Sequence, residues 1–249
     1  MISLKSKREI QIIQNAAEIL KKVFVEVKAA VKPGVTTDEL DSIAEKVIRA
    51  GGGEPAFKGY RGFPKTACIS LNEQVVHGIP GSVKLKDGDI LSFDIGAKVD
   101  GYYADAARTW PVGKVSPEKM RLIETAKDSF EAGLKAYKPG CKIGDISESI
   151  QKLIESRGFQ VVRDYVGHGI GRALHEDPQV PNYGQAGRGP KIEPGLVLAI
   201  EPMVTEGHHA VETLKDGWTV VTKDRKAASH YEDTVVFTES GYVHLTGGN

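Results

Sequence analysis

The chain carries a second, diverged copy of itself. Lys32-Pro33-Gly34 returns as Lys138-Pro139-Gly140, each time between two helical patterns, and the run from Leu85 to Asp94 aligns with the run from Ile192 to Glu201. The first repeat is displaced by 106 residues and the second by 107, an offset too consistent for chance likeness and far longer than a solenoid period. Later in each half, Tyr103-Ala104-Asp105 resembles Tyr231-Glu232. Such a chain is constrained to two helix–helix–sheet halves packed about a pseudo-twofold axis. A site between the halves draws on both.

The element signals agree with that plan. Ser6 and Glu9 form a capping box, after which Ile10, Ile13, Ala17, Leu20, Val23, Val27 and Val31 recur at helical spacing up to Pro33-Gly34. Thr36 and Glu39 repeat the box for a helix that ends at Gly51-Gly52-Gly53. Ser116-Pro117 opens a third helix, which runs toward Pro139-Gly140. Ile146, Ile150, Leu153 and Ile154 mark a fourth, which stops at Gly158. Asp89 to Lys98 and Tyr102 to Val112 flank Asp100-Gly101, a hairpin signal. Residues 196–200 and 234–238 read as strands, and 181–195 as a loop. The prediction is an α+β fold in a single domain over residues 1–249.

Charge and cysteine usage exclude several classes. Lys plus Arg and Asp plus Glu number 33 each, so nothing advertises direct nucleic-acid contact or an anionic membrane. Cys68 and Cys141 stand far apart and form neither a disulfide framework nor a zinc ribbon, which fits a reducing, cytoplasmic compartment. The first residues carry no apolar signal core, and no apolar run approaches the roughly 20 residues needed to span a bilayer.

The carboxylates in strand contexts carry the chemistry. Asp94 and Asp105 lie on the two arms of the predicted hairpin, where an antiparallel pair can bring them to one face. Glu201 ends an apolar strand and Glu232 begins one, positions where a free carboxylate is expensive to bury. Each alone reads as a surface or ion-paired acid. Four at matching strand ends of two similar halves point to a metal site, because their charge of −4 equals that of two divalent cations reversed. Oxygen ligands completed by one imidazole suit Co, Mn, Fe or Zn. His168 and His175, in a Gly-rich segment, and His77 are the histidine candidates; His208, His209, His230 and His244 read as peripheral. The Gly-rich runs match no phosphate-binding fingerprint, no nucleophile elbow is present, and Cys68 reads as a small core residue rather than a nucleophile.

Taken in order, the segments 72–80, Asp87-Gly88-Asp89-Ile90, Asp94 with Asp105, His168 to Pro178, Ile200-Glu201-Pro202-Met203, 216–220 and Tyr231-Glu232 resemble the type I methionine aminopeptidases, in their short bacterial form, over essentially the whole chain. The resemblance implies the pita-bread fold around a central curved antiparallel sheet. It implies two divalent metal ions held by Asp94, Asp105, His168, Glu201 and Glu232, with Asp105 and Glu232 bridging. Glu201 is the candidate to shuttle a proton, and His77 and His175 are the candidates to contact substrate at the scissile amide. By position, Phe57, Tyr60, Phe63, Cys68, Leu174 and Trp218 line the methionine pocket. The implied activity is removal of the N-terminal methionine from nascent polypeptides, with small second residues preferred. The implied setting is a cytoplasmic monomer that meets its substrate at the ribosome. One departure stands out: Asp233 follows Glu232 where the family usually has His. Asp there is more typical of the related Xaa-Pro peptidases, so an Xaa-Pro aminopeptidase-like hydrolase is the nearest rival. A non-catalytic protein of this fold that only binds peptides or the ribosome is the second.

Overall fold

The computed structural model describes residues 1–247; Gly248 and Asn249, the end of the domain predicted over 1–249, lie outside them. The first half contains α1 (Lys7–Ala30), α2 (Thr37–Ala50), β1 (Glu54–Pro55), β2 (Ala67–Leu71), β3 (Gln74–Val76), β4 (Ile90–Val99) and β5 (Tyr102–Pro111). The second contains α3 (Pro117–Lys135), α4 (Ile143–Ser156), β6 (Gln160–Val161), β7 (Gly167–Gly169), β8 (Glu176–Val180), β9 (Val197–Ile200), β10 (Met203–Thr205), β11 (Val211–Thr213), β12 (Val220–Thr222), β13 (Ala228–His230), β14 (Glu232–Thr238) and β15 (Gly241–His244). Both predicted capping boxes form, with the Ser6 and Thr36 hydroxyls accepting from Glu9 and Glu39 N–H while those carboxylates accept from the cap N–H in return. Helix α3 stops at Lys135, short of the predicted end at Pro139, because proline cannot continue the ladder and disfavours helical backbone just before it.

The predicted repeat is visible in the backbone. Gly34 and Gly140 have φ of 93° and 86°, and Gly88 and Gly195 both have φ of 90°, left-handed values that glycine adopts freely. The contacts between these turns repeat as well. Leu85 N–H donates to Val35 O at 2.8 Å, and Ile192 N–H donates to Cys141 O at 2.9 Å. The isolated bridge Thr36–Lys84 likewise has its counterpart in Lys142–Lys191.

Each half builds its own core. Helices α1 and α2 pack Leu20, Phe24 and Leu40 with Phe93 and Ile95 of β4, and α3 and α4 pack Phe130, Ile146 and Ile150 with Leu198 and Phe237. Nine strands drawn from both halves join in one antiparallel sheet, ordered β1-β4-β5-β14-β9-β7-β8, with β2 added on β4 and β15 on β14; β13-β10-β6 and β11-β12-β3 form two three-stranded sheets. This α+β plan is the one the repeat predicts, and it puts the seam between the halves where β5 meets β14. Among the described residues, no helix is long and apolar enough to cross a membrane.

Candidate metal centre

The seam collects the predicted carboxylates. In the β4–β5 hairpin, turned by Asp100 and Gly101 at φ of 47° and 80°, Asp94 stands opposite Ala107 and Asp105 opposite Gly96. The two acids are therefore diagonal neighbours on one face. Glu232 stands beside the same Ala107, so Asp94, Ala107 and Glu232 form a row across three strands. Glu201 directly follows β9, and His168 on β7 stands opposite Ala199 of β9. Asp105, His168 and Glu232 each bring one ligand-type atom to within 4.8 Å of the others. All five predicted ligands line one cavity of about 160 Å³.

Without cations this cluster is electrostatically unsatisfied. Burial pushes the Asp105 carboxyl up to about 7. Burial, reinforced by the neighbouring acids, holds Asp94, Glu201 and Glu232 well above the usual carboxylate range. Asp94 Oδ1, Asp105 Oδ1 and Glu232 Oε1 are buried with no hydrogen-bond partner, in a protein where such groups are normally paired. Unpartnered carboxylate oxygens pointing into one cavity fit a hard divalent cation. The imidazole of His168 is oriented for the same task. Its Nδ1 lies 2.9 Å from Gly169 O, and a carbonyl can only accept, so Nδ1 carries the proton and Nε2 offers its lone pair toward Glu201 Oε1, 3.7 Å away. Burial lowers this ring's pKa to about 3 and keeps it neutral.

The predicted substrate-side residues share the cavity. His77, His175, Phe57, Tyr60, Phe63, Cys68, Leu174 and Trp218 all line it. Phe63 and Trp218 meet edge to face at 5.1 Å, and Tyr60 OH lies 2.8 Å from His175 Nδ1. Burial lowers His77 to about 4 and also lowers His175, beside the Arg61 guanidinium. Cys68 is both a buried residue and a wall residue; it pairs in register with Asp94, which turns its thiol to the carboxylate face.

Sequence reading missed three neighbours of the site. Arg61 lines the cavity at a positive φ of 50°, a conformation its flanking glycines Gly59 and Gly62 hint at. His230 is not peripheral: it is 1% exposed, with Nε2 3.7 Å from Glu201 Oε2 and 4.0 Å from Glu232 Oε2. Residues two apart in an extended chain face the same way, so its spacing from Glu232 was the available signal. Arg108, 5% exposed, donates to Glu232 O at 2.6 Å and to Asp233 Oδ1 at 2.7 Å. Of the other histidines read as peripheral, His208 is exposed, and His244 packs on the rings of Phe130 and Tyr242. Asp233 is fully buried and does not line the cavity. It follows Glu232 in an extended strand and therefore points to the other side of the sheet.

The chain is similar to known proteins in both sequence and fold. Residues 11–239 match metallopeptidase family M24. The chain is 51% identical over 246 residues to methionine aminopeptidase 1 of Bacillus subtilis, covering 99% of each chain. It is 52% identical over 246 residues to a methionine aminopeptidase of Clostridium perfringens, again covering 99% of each. The crystal structure of methionine aminopeptidase from Thermotoga maritima superposes over 100% of both chains with a TM-score of 0.98 and 43% identity. The α+β architecture is thus the pita-bread fold.

Proposed function

The chain belongs to metallopeptidase family M24 and to its methionine aminopeptidases, and from that premise we propose that it releases the N-terminal methionine of polypeptides by hydrolysing their first peptide bond. It is a hydrolase of the aminopeptidase class. In our reading residues 1–249 form one catalytic domain that works as a cytoplasmic monomer on nascent chains at the ribosome, and small residues are preferred after the methionine.

Asp94, Asp105, His168, Glu201 and Glu232 would hold two divalent cations of the Co, Mn, Fe or Zn type. Bound there, the cations would offset the carboxylate charge, acidify a water and polarise the scissile carbonyl. The residues supply the rest. The cavity of about 160 Å³ is smaller than the roughly 300–1,000 Å³ of pockets that take drug-sized ligands, which suits one side chain. Phe57, Phe63, Cys68 and Trp218 give it an apolar, polarisable wall matched to an unbranched thioether. Glu201 accepts the proton of the attacking water and returns it to the departing amine. His77 and His175, kept neutral by burial, donate hydrogen bonds to the scissile group as it gains charge.

One observation carries this reading: buried carboxylate oxygens without partners border the same cavity as an aromatic pocket. The test is release of methionine from a Met-Gly-x peptide against release of alanine from an Ala-Pro-x peptide, before chelation, after it, and after metal is restored. Metal-dependent release from Met-Gly-x is expected. Faster cleavage of Ala-Pro-x would transfer the assignment to an Xaa-Pro aminopeptidase.

A further inference from the structure

The segment ahead of α1 is tied to Glu176, the neighbour of the cavity-lining His175, through a buried lysine. The Lys5 side chain is 3% exposed, and lysine is among the residues least often buried unless paired. Its ammonium donates to Glu176 Oε2 at 2.5 Å and to Ser3 O at 2.9 Å, while its backbone N–H donates to Gly195 O at 2.7 Å. The other oxygen of that carboxylate, Glu176 Oε1, accepts from Ala173 N–H at 3.1 Å. One carboxylate thus ties the first residues of the chain to residues 171–175, the link from β7 to β8.

That link has no regular secondary structure, so a few bonds set its course. Gly171 O accepts from Tyr103 N–H of β5 at 2.9 Å, and Gly171 N–H donates to Ala173 O at 3.2 Å. A Cβ on Gly171 would collide with Lys5 Cε, so the lysine stem occupies the space a side chain would fill. The link ends at His175, whose ring lies 4.3 Å from the ring of His168 and hydrogen-bonds Tyr60 OH. Leu174, beside it, lines the cavity.

From this geometry we infer that Lys5 is a positioning residue for His175. Through Glu176 it fixes the link that presents the imidazole and Leu174 to the substrate. The inference rests on the reading of His175 as a substrate contact. A largely buried ion pair is screened little by salt, so the tether holds at physiological ionic strength. With the ammonium gone, Glu176 is free to turn toward water and release Ala173 N–H, and the link loses its anchor. A displacement of about 1 Å at a reacting group can lower turnover by roughly 10²-fold.

The test uses Lys5→Met, Lys5→Arg, Glu176→Gln and the double variant K5M/E176Q in the metal-loaded enzyme. Lys5→Met is expected to lower kcat by roughly 10–100-fold while KM moves less than about threefold and metal content stays that of wild type. Lys5→Arg should recover most of the loss. The double variant should be no worse than the worse single one, because both changes cut one tether. The imidazole resonance of His175, assigned by its absence in His175→Ala, should shift in Lys5→Met. A folded Lys5→Met enzyme with kcat within about twofold of wild type, or with an unmoved His175 resonance, overturns the inference. If Lys5→Met does not fold, the same kcat loss and resonance shift are read in Glu176→Gln, and their absence there is equally decisive. Wild-type turnover in His175→Ala would remove that histidine from the reaction, a failure of the functional reading that the resonance shift keeps separate.

Discussion

Arg108 and Asp233 meet at 2.7 Å behind the sheet, directly under the carboxylate cluster. Both are buried, at 5% and 0% exposure. The guanidinium also donates to Ala107 O, Glu232 O and Thr246 O, and it lies over the rings of Phe24 and Tyr231. Asp233 accepts in addition from Thr246 and Tyr231 hydroxyls. Asp233 is therefore bound into a network that grips the backbone of Glu232.

Cutting one partner of a buried ion pair leaves the other charge stranded, at a cost of about 3–5 kcal/mol. Asp233→Ala should destabilise the protein by that order, and so should Arg108→Met. The double variant should be less unstable than the sum of the two, as a denaturant double-mutant cycle would show. The ratio of Met-Gly to Ala-Pro cleavage should not move in Asp233→Asn, because the side chain does not face the cavity. A shift toward Ala-Pro would give Asp233 the specificity role that its identity first suggested.

Stability of the metal-free protein should depend on pH in a direction fixed by the buried groups. Asp94, Asp105, Glu201 and Glu232 have folded values above their unfolded ones. Their protonation favours the folded chain, and that stability is lost as pH rises through the folded values, about 7 for Asp105. The buried histidines act oppositely. His168 and His230 are lowered to about 3 and His77 to about 4, so their contribution is present above about pH 6.5 and fades below it. The two effects oppose each other up to about pH 7.5, one unit above the ordinary histidine value; above it the histidines are neutral in both states and the carboxylates act alone. Chelated, verified metal-free protein should melt lower at about pH 9 than at about pH 7.5. Metal-loaded protein should melt higher throughout. A metal-free melting point that rises over this window would mean that the acids are already paired.

Much of the fold and site was legible because both are built from local, periodic signals. The two capping boxes, the Asp100-Gly101 turn and the repeated Gly34 and Gly140 act within a few residues of themselves. Asp94, Asp105, Glu201 and Glu232 were visible because an acid against an apolar strand conflicts with its surroundings. The missed features depend on contacts that no local pattern encodes. Lys5 looks like any lysine before a helix until Glu176, 171 positions away, is brought beside it. Arg108 is an ordinary strand cation until Asp233 arrives from the other half. The three-residue strands β7, β10 and β13 are too short to carry a period, and so His230 was misread.

His168 and His175 should fail in different ways. His168 presents an unprotonated Nε2 beside Glu201, whereas His175 shares its Nδ1 with Tyr60. Losing a ligand weakens metal binding and can be partly offset by excess metal. Losing a hydrogen bond formed in the transition state slows turnover by roughly 10²–10³-fold and leaves metal content alone. His168→Ala should show reduced metal stoichiometry at limiting metal. His175→Ala should bind metal normally, with kcat falling far more than KM rises. Calorimetric metal titration beside steady-state kinetics separates the two, and the opposite pattern would exchange their roles.

Cys68 should act by shape rather than by chemistry. Its thiol is raised well above the ordinary value by burial and by the field of Asp94 and Asp105, so it stays protonated and is a poor nucleophile. It sits in the wall of a cavity of only about 160 Å³, where added atoms have little room. Cys68→Ala should keep kcat on Met-Gly-x within a few-fold and relax discrimination against larger first residues. Cys68→Leu should fill the pocket and lower kcat/KM for Met-Gly-x by at least 10-fold, within the roughly 10–200-fold that a methylene is worth in an apolar pocket. The smaller first residue of Ala-Gly-x should be affected less. Steady-state kinetics on the three peptides, with metal content checked in each variant, decides the matter. If Cys68→Ala binds metal normally yet has lost turnover, the thiol takes part in the reaction and the shape account is wrong.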